Sequence, residues 1–87
     1  MTEREQDSQQ KLREILTMVM GVYIEQEPKK SDSWRDATYT QLWLHFKHEV
    51  QEIERSDDRN RQLHNILDAI SLLSMMGAKV FYPKGDA

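Results

Sequence analysis

Residues 38–55, Thr-Tyr-Thr-Gln-Leu-Trp-Leu-His-Phe-Lys-His-Glu-Val-Gln-Glu-Ile-Glu-Arg, decide the fold class. Leu42, Phe46, Val50 and Ile53 recur at i, i+4, i+8 and i+11, the spacing of one apolar helix face. Thr38 followed by Gln41 has the form of a capping box, so the spacing predicts a helix from Ala37 or Tyr39 to about Arg55. At about 100° per residue, His45, Glu49 and Glu52 gather on one flank of that stripe. Carboxylates at the margin of a helical core need a cation, a donor or water, because burying one unpaired is costly. A divalent metal is the sharp reading of Glu49 and Glu52. A solvated flank with ion pairs to Lys47 or Arg55 is the plain one.

Outward from this segment the pattern stays helical. Leu12, Ile15, Leu16, Val19, Val22 and Tyr23 repeat at the helical period, predicting a first helix over about 3–27. Thr2 with Glu5 forms a second capping box, and Pro28 is expected to end the helix. Lys29 to Ala37 reads as a polar loop carrying one large aromatic, Trp34. Ser56 to Arg59 reads as a short charged turn. A third helix is expected over about 60–80. Its first half has a polar face of His64, Asn65, Asp68 and Ser71. Its second half (Leu72, Leu73, Met75, Met76, Ala78, Val80) is apolar almost all round. Such a helix must be covered on more than one side. The expectation is therefore all-α: one helical domain over 1–87, with three helices per protomer and a loose tail at 82–87. It forms a bundle by oligomerisation into a homodimer or homotetramer. Gly77 suggests a close helix contact, and Met75-Met76 suggests packing between subunits.

Composition limits the function classes. The chain has 87 residues, no cysteine, a net charge of −3 and a pI near 5.5. A core this small stabilises weakly, and association is a common remedy. Disulfides and thiolate metal sites are excluded. The acidic balance argues against a nucleic-acid surface. The polar, acidic start does not read as a signal peptide, and no apolar run approaches the roughly 20 residues needed to span a bilayer. The expected location is cytoplasmic, with no membrane partner.

Trp34-Arg35-Asp36-Ala37-Thr38, Leu42, His48-Glu49-Val50-Gln51-Glu52-Ile53, Asp68 and Met75-Met76, in this order and spacing, resemble the MazG-like nucleotide pyrophosphohydrolases. The short, phage-type members are the most similar, and the similarity covers roughly residues 10–80. Their pattern is a Trp-containing loop, a helix with Glu-Glu-x-x-Glu, a variable turn, and a helix with Glu-x-x-Asp leading into a Met-rich apolar segment. The resemblance implies an all-α bundle that binds Mg²⁺, with Mn²⁺ as an alternative. It also implies hydrolysis of a nucleoside triphosphate to the monophosphate and pyrophosphate. Glu49 and Glu52 match the two Glu ligands of the first motif, and Asp68 matches the Asp of the second. The motif is partly degenerate. His48 stands where the family usually has Glu, Asn65 where it has a Glu ligand, and Ser71 where many members have an Asn that contacts nucleotide.

The implied site is then Glu49, Glu52, Asn65 and Asp68 as metal ligands, with Glu49 or Glu52 as the catalytic base. Residues at i and i+3 point the same way on a helix, so Glu49/Glu52 and Asn65/Asp68 can face each other across two helices, as in metal-binding bundles. Asn can ligate Mg²⁺ through its carbonyl oxygen, without formal charge. Lys29, Lys30 and Arg35 are candidates for phosphate contacts, Trp34 for stacking on a base or wedging between helices, and Ser71 for the nucleotide. His45 and His64 read as surface or capping residues in preference to ligands, because no His-Glu-x-x-His spacing is present. Three functions stay open: an enzyme, weakened by Asn65; a catalytically impaired MazG-like module that binds nucleotide or a protein partner; and a purely structural helical oligomer whose acidic groups are surface features.

Overall fold

The computed structural model describes residues 1–30 and 33–82, residues 26–30 by backbone alone. Three α-helices and one short 3₁₀ turn make up the described fold, with no strand among the described residues: α1 (Glu3–Lys30), the turn Ser33–Arg35, α2 (Tyr39–Arg55) and α3 (Arg59–Phe81).

Each helix start has a local cause. The Glu5 backbone N–H donates to Thr2 Oγ1 at 3.2 Å, and Glu3 and Glu5 place negative charge in the first turn of α1, where the helix dipole favours it. At α2 both arms of the expected capping box form. Gln41 N donates to Thr38 Oγ1 at 3.1 Å, and Thr38 N donates to Gln41 Oε1 at 2.8 Å. Asp58, inside the segment read as a plain charged turn, caps α3 by accepting from Asn60 N at 3.0 Å.

One boundary differs from the sequence expectation. α1 runs through Pro28 to Lys30, so Lys29 and Lys30 belong to the helix and not to the loop. A proline forfeits the bond to the carbonyl four residues back. Here that carbonyl belongs to Ile24, a residue 56% exposed, so water replaces the lost donor and α1 continues two residues past the proline. The loop that remains contains the Ser33–Arg35 turn.

α3 is the central element and packs against both α1 and α2. The core is small: Leu42, Leu72 and Met76 are buried together, with Trp34, Ala37, Phe46 and Met75 packed around them. Fully burying such side chains contributes about 1.5–3 kcal/mol each. Met76 is therefore a core residue of the protomer itself, not of a subunit interface as the Met pair suggested. Gly77 likewise has no neighbour within 4 Å of an added Cβ, so it serves no close approach within the protomer.

α1 is the outlier. Only Val19 is buried along its described side chains. The chain measures 42 × 33 × 24 Å, with a radius of gyration of 14.7 Å. A compact domain of this length would have a radius near 12 Å. The longest dimension is no greater than the roughly 42 Å of a 28-residue helix, so α1 alone is as long as the molecule. No helix among the described residues is long and apolar enough to cross a membrane.

Candidate functional site

A cavity of about 280 Å³ opens where the three helices and the Ser33–Arg35 turn meet. Trp34, Leu42, Leu72 and Met75 supply apolar walls. Glu49 from α2 and Asp68 from α3 supply the acidic groups, with His45, Ser71 and Tyr23 beside them. The side chains of Glu49 and Asp68 are only 14% and 23% exposed. Two carboxylates from separate helices, both largely withdrawn from water, thus share one concave site with both polar and apolar walls. Low solvent access strengthens every electrostatic interaction made there.

The other expected ligands point elsewhere. Glu52 does not line the cavity and is 40% exposed. Asn65 Nδ2 donates to Ser56 Oγ at 3.0 Å, and Ser56 Oγ donates to the Glu52 carbonyl at 2.7 Å. Asn65 therefore ties α3 to the carboxyl end of α2, where the Ser56 backbone N–H donates to the Ile53 carbonyl at 3.3 Å. Among the described residues no group of three or more His, Asp or Glu side chains converges as a metal cage.

Each acid instead has a histidine one turn before it. His45 Nε2 lies 3.6 Å from Glu49, His48 Nε2 3.8 Å from Glu52, and His64 Nε2 3.5 Å from Asp68. All three histidines of the chain are used this way. These distances are long for hydrogen bonds and form ion pairs only when the imidazole is protonated. The i,i+4 spacing was legible in the sequence, but Lys47 and Arg55 stood nearer in the expected pairing.

Trp34 is half-buried, packed on the Leu42–Leu72–Met76 core, and its Nε1–H donates to Tyr23 Oη at 3.1 Å. That bond joins α1 to the turn and fixes one wall of the cavity. The helical period of the sequence gives Tyr23 only as part of an apolar stripe. Its hydroxyl, at the end of that stripe nearest the Trp-bearing loop, is what the sequence reading missed.

No protein-family model, curated protein or solved structure matches this chain.

Of the expected substrate contacts, Trp34 and Ser71 line the cavity. Arg35 sits next to Trp34, and its carbonyl accepts from Lys79 Nζ at 2.8 Å, which ties the turn to the end of α3. The side chains of Lys29 and Lys30 lie outside the described residues.

Proposed function

We propose that this chain is a MazG-like, Mg²⁺-dependent nucleoside triphosphate pyrophosphohydrolase that acts as a homo-oligomer. The observation that carries the reading is that Glu49 and Asp68, from two helices, line one cavity of mixed polar and apolar walls. Mg²⁺ is usually held by one or two carboxylates together with water and substrate phosphates, not by an all-protein cage. Two carboxylates fit that donor set, for an ion that arrives with the nucleotide. When bound, such an ion neutralises phosphate charge and makes a water more nucleophilic.

The chain's own residues supply the rest. Glu49, the less exposed acid, orients the attacking water and takes its proton. Asp68 holds the opposite side of the site. Trp34, Leu42, Leu72 and Met75 give a flat apolar surface for the base and exclude bulk water. Ser71 offers a hydroxyl to the nucleotide, and Lys29, Lys30 and Arg35 offer positive charge to the phosphates. Glu52, being exposed, has at most a supporting electrostatic part.

Release of pyrophosphate from a panel of standard and modified nucleotides with Mg²⁺ or Mn²⁺ tests this. Glu49→Gln and Asp68→Asn are expected to cut the rate by about 100-fold or more, and Glu52→Gln by only a few-fold. No release from any nucleotide with either metal would overturn the enzymatic reading.

The engagement of Asn65 by Ser56 favours a second reading, a nucleotide-binding module that has lost turnover. Calorimetry with a non-hydrolysable triphosphate would then show binding by a chain that releases no pyrophosphate.

A further inference from the structure

We propose that an exposed flank of α1, formed by Leu12, Leu16, Met20 and Ile24, is the surface on which two copies of this chain associate, with the two α1 helices antiparallel. The inference deepens the oligomer half of the proposed function and is independent of the phosphate chemistry.

The first argument is area. The chain exposes 7038 Å², whereas a compact monomer of 10.4 kDa exposes about 5,400 Å². Part of that excess belongs to residues 26–32 and 83–87. If these carry the full value of an unfolded chain, about 1,900 Å², and the remainder is compact at about 4,900 Å², roughly 300 Å² of excess is left, a part of the roughly 800 Å² that each partner contributes to a stable interface of standard size.

The second argument is the character of the face. Leu12, Leu16, Met20 and Ile24 are 66%, 57%, 55% and 56% exposed, four large apolar side chains in a row at i, i+4, i+8 and i+12. Such a row is one of the ridges by which helices interlock, at crossing angles near −50°. At about 100° per residue, Arg13 is the only charged side chain between Gln6 and Ile24 that falls on this side of the helix. Depletion of charge marks the centre of an interface.

The third argument is symmetry. A homodimer interface is self-complementary about a two-fold axis. The row is evenly spaced about the level midway between Leu16 and Met20. An antiparallel copy therefore sets Leu16 against the partner's Met20, and Leu12 towards the partner's Ile24, with no change of register.

The face also continues into the body of the protomer. Met20 borders a second, apolar cavity of about 180 Å³ between α1 and α3, which shares Tyr23, Trp34, Ser71 and Met75 with the candidate site. A second copy seated on α1 covers this groove and closes the back of the site.

The test is the mass of the full chain by sedimentation velocity, from the low micromolar range upward. The expected wild-type species is a dimer, twice 10.4 kDa. Leu16→Glu and Met20→Glu should each weaken the dimer by about 30-fold or more, as loss of a central anchor does. Leu44→Glu, on α2 and equally exposed at 58%, should leave it unchanged. Should the charged variants fail to fold, cross-linking serves instead, because the chain has no cysteine. Leu16→Cys joins into a covalent dimer with a short bismaleimide, and Leu44→Cys does not. A monomeric wild type would overturn both this surface and the oligomer reading. A dimer indifferent to Leu16→Glu, or cross-linked through Leu44→Cys instead of Leu16→Cys, would overturn the surface alone.

Discussion

Glu49 and Glu52 are three residues apart on α2, yet only Glu49 faces the cavity. Three residues on a helix correspond to about 300°, so the two side chains diverge by about 60°. At the edge of a narrow cavity that angle separates a withdrawn group from a wet one. Asn65 and Asp68 part in the same way on α3: Asp68 turns inward, and Asn65 bonds Ser56. Asn65→Ala should remove the bridge between α3 and the end of α2 and lower stability by about 1 kcal/mol, read as a lower Tm with the helical signal intact. Asn65→Glu, which places a carboxylate at this position, competes with that bridge. Tyr23→Phe keeps the ring and removes only the acceptor for Trp34. In a Trp43→Phe background, which leaves Trp34 as the sole indole, Tyr23→Phe should shift Trp34 emission to the red and increase its quenching by acrylamide. An unchanged spectrum would show that the hydroxyl does not fix that wall.

The elements were legible where the chemistry is local. Thr38 with Gln41 marks the start of α2 by two reciprocal bonds, and the stripe from Leu42 to Ile53 gives its direction. Pro28 misled because a proline costs the bond to the carbonyl four residues back without necessarily ending the helix there, and α1 runs two residues past it. Gly77 makes no close contact within the protomer; a glycine in a helix can mark a close approach or nothing at all, and only the packing tells them apart. With open space around its Cα, Gly77→Ala should raise stability by about 0.5–1 kcal/mol, seen as a higher midpoint in urea with the slope unchanged. A loss of stability would mean that something does approach Gly77, in the assembly if not in the protomer. The site was half legible for the same reason. Spacing places Glu49 and Asp68 on facing helices, but it cannot say which of two neighbouring polar groups turns inward. Nor can it give the Tyr23–Trp34 bond, which joins residues from separate elements.

At the scale of the whole molecule, a small core under a long, bare α1 explains why this chain is expected to need a second copy. The buried residues Val19, Leu42, Leu67, Ala69, Leu72 and Met76 hold α3 to its two neighbours, but they leave the apolar ridge of α1 in water. If association covers that ridge, stability depends on concentration. The Tm should then rise with protein concentration in the wild type and not in Leu16→Glu. The pocket between Glu49 and Asp68 lies at the junction of all three helices, so its shape depends on the complete fold. The most direct measurement on it is Mn²⁺ binding, followed by electron paramagnetic resonance with a non-hydrolysable nucleoside triphosphate present. We expect the wild type and Glu52→Gln to bind the ion in a nucleotide-dependent way, and Glu49→Gln and Asp68→Asn to lose it. Equal binding by all four proteins, or by none, would contradict a shared site for these two carboxylates.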